Sequence, residues 1–330
     1  MPMERRRFIG SSLGGLALAM SPGLFGSSVK AETPKPLVKG PSTSASYPGL
    51  KLALFSYSYR MRFGSHDVKP QTKAELPWFL QRAAALGLEG VQLDITHLKS
   101  TEPHYLATIR AQAEQLGLYI EYGSTLVEEA RTRAELEVAR VLGARLMRTY
   151  MGFSQFEKTT KVAEETNKAV AVLKGIAPLA QERGIRIALE NHCDAKVDEL
   201  LHVIEMIDSP FVGVCVDLGN FMIHLENPLE SVKRLAPHII NTHFKDYDMK
   251  MMNWGFKSYG VPLGEGVIDL AGILNVLVEK SGLDRITMEI VSEPQETIEQ
   301  SLAWEDESVR RSVVYAREVL GIGRKAPATI

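Results

Sequence analysis

Residues 182–192 read Glu-Arg-Gly-Ile-Arg-Ile-Ala-Leu-Glu-Asn-His. A helical stretch stops at Gly184, an apolar run follows with one arginine at its entrance, and the first carboxylate, Glu190, stands at its far end. Glycine at such a joint fits the left-handed cap that closes many helices. The joint recurs at 85–91 (Ala-Leu-Gly-Leu-Glu-Gly-Val) and at 115–120 (Gln-Leu-Gly-Leu-Tyr-Ile), and Gly143 and Gly282 occupy equivalent places. Working outward from these joints, short apolar or β-branched runs appear at 52–57, 91–94, 119–122, 146–150, 185–191, 212–217, 239–243 and 286–290. Stretches with apolar residues three and four apart separate them, near 73–86, 102–116, 126–142, 158–183, 197–207, 228–236, 269–281 and 299–319.

Strands alternating with helices imply parallel pairing and right-handed crossovers. Eight such units predict an α/β fold, a single (β/α)8 TIM barrel over 49–322. The alternative is a doubly wound open sheet, and the missing Gly-x-Gly-x-x-Gly after the first run weakens it. The chain has 330 residues, 45% apolar and 24% charged, with a net charge of −2. That is ordinary globular composition, and no basic patch points to nucleic acid.

The N-terminus reads separately. Arg5, Arg6 and Arg7 precede Phe8, a glycine- and alanine-rich apolar run fills 13–25, and Val29 and Ala31 supply small residues. This is the pattern of a secretory signal over 1–31, and the paired arginines resemble a twin-arginine address. The expectation is a periplasmic protein without stable membrane insertion, since the run is short and glycine-rich for a span. Residues 32–48 read as a linker and 323–330 as a tail.

Strands of a closed parallel barrel are buried on both faces, so ionisable residues at their C-terminal ends need a reason. Four consecutive strands end in one: Glu190, Asp217, His243 and Glu289. Three carboxylates cannot share one point as bare anions, so either one is protonated or a cation holds them. Three oxygens and an imidazole suit Mn²⁺, and Mg²⁺, Co²⁺ or Zn²⁺ less clearly.

Together the runs Glu190-Asn-His, Val216-Asp-Leu-Gly-Asn220, His243-Phe-Lys-Asp246, Gly264-Glu-Gly-x-x-Asp269 and Met288-Glu289 resemble the xylose-isomerase-like barrel superfamily. Within it they look like the ketose epimerases and isomerases, with inosose dehydratases as relatives. The resemblance spans about 50–320. It implies that Glu190, Asp217, His243 and Glu289 ligate the metal and that Glu190 and Glu289 double as the acid–base pair. Two departures stand out. Many ketose epimerases carry a substrate-contacting histidine where this chain has Asn220, and no arginine lies between His243 and Gly264.

Other expectations attach to single residues. Tyr57, Arg148, His192, Asn220 and Lys245 are expected to meet substrate, with Asp94 and Glu121 also lining the pocket. Asp246 is expected to orient the His243 imidazole. Asp269 reads as a helix N-cap and Glu265 as a loop-shaping residue. His97, His104 and His202 read as surface residues. Cys193 and Cys215 read as free and buried, offset by about five residues, ~16 Å, along neighbouring strands. The aromatic loop from Lys245 to about Ile268 reads equally as a lid or as an oligomer contact or packed satellite core.

The leading functional expectation is a sugar isomerase or epimerase working by proton transfer through an enediolate on a ketose-like substrate. The alternative is a lyase or dehydratase in which His192 or Lys245 expels a leaving group. A non-catalytic sugar-binding barrel is the reading from another class. The expected partner is a small sugar or polyol ketone, with homo-oligomerisation open.

Overall fold

A computed structural model describes residues 47, 49–64 and 68–323. The expectations for 1–31, for most of 32–48 and for 324–330 lie outside these residues. Tyr47, at the end of the expected linker, pairs with Ile322 in a parallel bridge.

Eight parallel strands form the barrel in the order β10–β1–β2–β3–β4–β5–β6–β7. They are β1 (Lys51–Phe55), β2 (Gly90–Asp94), β3 (Tyr119–Leu126), β4 (Leu146–Tyr150), β5 (Arg186–Glu190), β6 (Val212–Asp217), β7 (Ile239–His243) and β10 (Arg285–Met288). The seam between β7 and β10 closes through Phe244 N–H to Thr287 O (2.9 Å) and Glu289 N–H to Phe244 O (3.2 Å). Around it run α1 (Leu76–Ala85), α2 (Pro103–Gln115), α3 (Glu129–Leu142), α4 (Val162–Arg183) and α5 (Val197–Ile207). After β6 come the one-turn α6 (Asn220–Ile223), α7 (Pro228–Leu235), α8 (Leu270–Lys280) and α9 (Ile298–Glu318). None of the described helices is long and apolar enough to cross a membrane.

The helix-to-strand joints are as the sequence implies. Gly184 has φ +65°, and its amide reaches back to Gln181 O, the conformation for which glycine pays least. Gly87, Gly117, Gly143 and Gly282 also have positive φ.

The stretch from Lys245 to Ile268 is more ordered than a loop. It contains an antiparallel hairpin, β8 (Asp246–Met252) and β9 (Gly255–Val261), paired over its full length. Most of its outer residues are solvent-exposed, so neither strand has a buried face to announce it in sequence.

Candidate metal centre and active site

Each of the four expected donors sits at the C-terminal lip of the barrel. Glu190, Asp217 and His243 are the last residues of β5, β6 and β7, and Glu289 directly follows β10. All four are buried, and one ligand atom from each lies within 4.8 Å of all the others. The sequence expectation that they converge is met.

The imidazole is aimed from across the barrel. His243 Nε2 lies 2.7 Å from Gln92 Oε1. Gln92 Nε2 in turn donates to Glu121 Oε2 and Asn241 Oδ1, both at 3.1 Å. That leaves the Gln92 oxygen as acceptor, so His243 carries its proton on Nε2 and turns the Nδ1 lone pair toward the carboxylates. Nδ1 has no hydrogen-bond donor and stands 3.0 Å from Glu289 Oε2 and 3.4 Å from Glu190 Oε1. Phe55 stacks on the ring, 4.7 Å between centroids. A buried nitrogen lone pair among carboxylate oxygens fits a borderline divalent cation.

Two cations balance the cluster. Lys245 Nζ is 2.6 Å from Asp217 Oδ2 and 2.8 Å from Glu289 Oε2. Arg148 Nε pairs with Glu190 Oε2, and its Nη1 donates to Ser124 O at 3.0 Å. Burial pushes the Glu190 carboxyl up, but Arg148 and then His243 outweigh it and hold it well below the usual range. Burial also raises Glu289, and Lys245 and His243 again reverse the sign. For Asp217 burial wins over Lys245, and its pKa is raised. Burial lowers His243, yet Glu190 and Glu289 carry it well above the ordinary imidazole range. Without a metal, a proton therefore competes for the Nδ1 position, and metal binding would release it.

Asn220 does two things at once. Its backbone N–H caps Asp217 Oδ1 at 3.0 Å, and its Nδ2 donates to Glu190 Oε1 at 3.2 Å. Asn191 fixes the Asp217 backbone, accepting from its N–H at 2.6 Å and donating to its O at 2.9 Å.

The cluster opens into a polar cavity of about 410 Å³. Tyr57, Asp94, Arg148, His192, Asn220 and Lys245 line it, as expected from sequence. Sequence reasoning missed Gln92, Asn191, Tyr150 and Tyr247. Gln92 and Asn241 were detectable as polar residues inside strands that should be apolar on both faces.

Several expectations are corrected. Asp246 does not orient His243. Its carboxylate accepts backbone N–H groups of Gly264 and Gly266 at 3.0 Å and Ile268 at 3.3 Å, because the chain swings outward into β8. A side chain at Gly266 would strike that carboxylate, its Cβ lying 2.2 Å from Asp246 Oδ1. Glu121 does not line the cavity: it is fully buried in the barrel, accepting from Gln92, Asn241 and Thr287. His97 is buried, not exposed, stacked on Phe63 at 3.8 Å, and burial drops its pKa to about 4. Both cysteines are free, but Cys193 is only half-buried. Register places Cys215, not Asp217, opposite Glu190, so the cysteine offset is three residues, ~10 Å, still beyond bridging. Asp269 caps α8 through Gly272 N–H, as expected, and Glu265 pairs with Arg311 at 2.6 Å.

A model of the xylose isomerase-like TIM barrel family matches residues 80–307. The chain belongs to that family. A 3-oxo-isoapionate decarboxylase from Pectobacterium atrosepticum is 28% identical over 223 residues, 67% of this chain and 78% of that relative. An inosose dehydratase from Bacillus thuringiensis is 25% identical over 146 residues, 40% of this chain and 49% of its own length. Among solved structures, a D-psicose 3-epimerase crystallised with D-fructose has a TM-score of 0.65 at 18% identity, covering 82% of this chain and all of that one, 100%. The IOLI protein with a bound zinc atom has a TM-score of 0.59 at 17% identity, covering 80% and 98%. At these identities the two structures attest the fold. This xylose isomerase-like barrel thus has enzymes of several reaction types among its relatives.

Proposed function

We propose that this barrel is a metal-dependent enzyme that moves a proton at the carbon beside the carbonyl of a sugar-like hydroxy-ketone, acting as an isomerase or epimerase. The observation that carries the reading is the Glu190–Asp217–His243–Glu289 cluster, its donor atoms within 4.8 Å of one another at the floor of a polar cavity. Those four residues would hold the metal, and Mn²⁺ is the ion their donor set favours. A divalent cation there supplies Lewis-acid polarisation of a substrate oxygen.

The chain's own groups do the rest. One ionised glutamate, Glu190 or Glu289, takes the proton from the carbon, and the electron pair moves onto the carbonyl oxygen as an enediolate. Arg148 and Lys245 lie where they can offset the developing negative charge. The other glutamate returns a proton to the opposite face or the neighbouring carbon. Asn220 presents a neutral amide where a histidine would add a titrating group.

A second reading, a lyase, is favoured by the buried Lys245 ammonium. After the same proton abstraction, Lys245 would give a proton to a leaving hydroxyl, which departs as water while the C–O electrons leave with the oxygen. The decarboxylase and dehydratase relatives support keeping it. In the test, the purified chain is incubated with Mn²⁺ and ketoses, inososes or 3-keto-glycosides in D₂O and followed by NMR. Deuterium at one carbon with an isomer as product supports the isomerase. Loss of water or CO₂ supports the lyase. Saturable binding of these compounds without any exchange or product would instead make the barrel a sugar-binding protein.

A further inference from the structure

A second cavity, about 590 Å³, runs beside α7 and the hairpin, away from the carboxylate cluster. Met222, Leu225, Leu229, Met249, Phe256 and Val267 supply its apolar lining. Pairing within the hairpin sets Met251 opposite Phe256 and Met249 opposite Ser258. Strand alternation then puts Met249, Met251 and Phe256 on one face of the ribbon, the face that walls the groove.

The same surface continues into solvent. Trp254 at the hairpin tip is wholly exposed (101%), Met251 is 83% exposed and Leu225 78%. Leu225 also sits at φ +58°, a backbone conformation that a leucine seldom adopts. A continuous apolar patch of this kind marks an interaction site, and Trp, Met and Phe are the residue types interfaces favour. Trp254 alone carries roughly 150–250 Å² when covered.

Charge narrows the occupant. On the other face of the ribbon Lys250 stands opposite Lys257, which Glu293 holds at 2.6 Å, whereas the charged residues lining the groove are Glu226, Glu230 and Asp269, all acidic. The Lys250 ammonium and an acidic, apolar groove thus adjoin on one patch of one chain. Such a patch is self-complementary, which is the requirement for an isologous two-fold contact.

We propose that the occupant is a second copy of this chain. Each hairpin tip seats Trp254 and Met251 in the other copy's groove, with Lys250 beside the acidic rim. In sedimentation velocity at micromolar concentration, the full-length wild-type chain should run at twice the chain mass. Trp254→Ser combined with Met251→Ser should raise the dissociation constant roughly 30-fold or more, as loss of a hot spot does. Val267→Glu, on the groove side, should do the same. Unchanged circular dichroism and melting in both variants would separate this from misfolding. Lys250→Glu should weaken the dimer, and adding Glu230→Lys should restore it. A monomeric wild type, whether the patch then meets a membrane or another protein, overturns the proposal. So does a dimer indifferent to Trp254 and Val267.

Discussion

Gln92 Oε1 accepts the Nε2–H of His243 across the barrel at 2.7 Å, so a strand-two amide sets which nitrogen of a strand-seven imidazole faces the carboxylates. Gln92→Leu removes that acceptor and frees the ring to flip or change tautomer. Metal affinity should fall about 10–100-fold, the usual cost of losing such a partner. Titration of the metal-free protein with Mn²⁺ or Zn²⁺ against a chelator measures it. Equal affinity in the variant would show that the ring is held by Phe55 stacking alone.

Glu190→Gln and Glu289→Gln should each cost at least ~10²–10⁴ in turnover. The losses should not add in the double variant, because on the proposed mechanism both residues serve one proton path. Glu190→Gln also strips Arg148 of its anion, so its melting temperature should drop more than that of Glu289→Gln in the metal-free protein. Retained turnover in both variants would move the chemistry elsewhere.

Lys245→Met separates the two functional readings. An isomerase should lose rate but keep its product; a lyase should keep solvent deuterium exchange while product formation collapses. Asp217 and Glu289 also lose their shared counter-charge. The drop in melting temperature on adding EDTA should therefore be larger in the variant than in wild type. A smaller drop would mean that Lys245 does not balance these carboxylates.

Glu305 offers a pH test away from the site. It is fully buried and accepts the N–H groups of Met61 at 2.8 Å and Arg62 at 3.2 Å. Burial raises its pKa from 4.5 to about 7, against the pull of those two amides. A folded pKa above the unfolded one means that the folded state binds the proton more tightly. The associated stability is full below about pH 4.5 and lost as pH rises through about 7. The scale is on the order of 3 kcal/mol for a shift of this size. Glu305→Gln does not titrate. Its melting temperature relative to wild type should climb between about pH 5 and about pH 8.5. A pH-independent difference would show that Glu305 is already ionised throughout.

What was legible in the sequence had a period or a punctuation mark. The barrel strands and their helices announced themselves through apolar spacing and glycine stops, and the four donors through their place at strand ends. The hairpin escaped because Met249-Lys-Met-Met-Asn-Trp-Gly-Phe256 has no buried side to impose alternation. Asp246 was misread because spacing of three from His243 suggests proximity, whereas the chain turns away into β8 between them. Gln92 reaches His243 from the far side of the barrel, 151 positions earlier in the chain, and no local spacing encodes that. His97 looked like a surface residue until the packing of Phe63 over it was visible.

The pocket is built from two halves of unequal freedom. All four donors come from β5, β6, β7 and the end of β10, while the facing wall is Tyr57, Asp94, Thr96, Thr125 and Tyr150 from the first four strands and the residues just after them. Arg148 crosses the divide by gripping Glu190. Substitutions at 57, 94, 96, 125 and 150 can therefore reshape what the cavity admits without touching the donor set. A mutagenesis library confined to those five positions would therefore vary the cavity's shape while leaving all four donors in place.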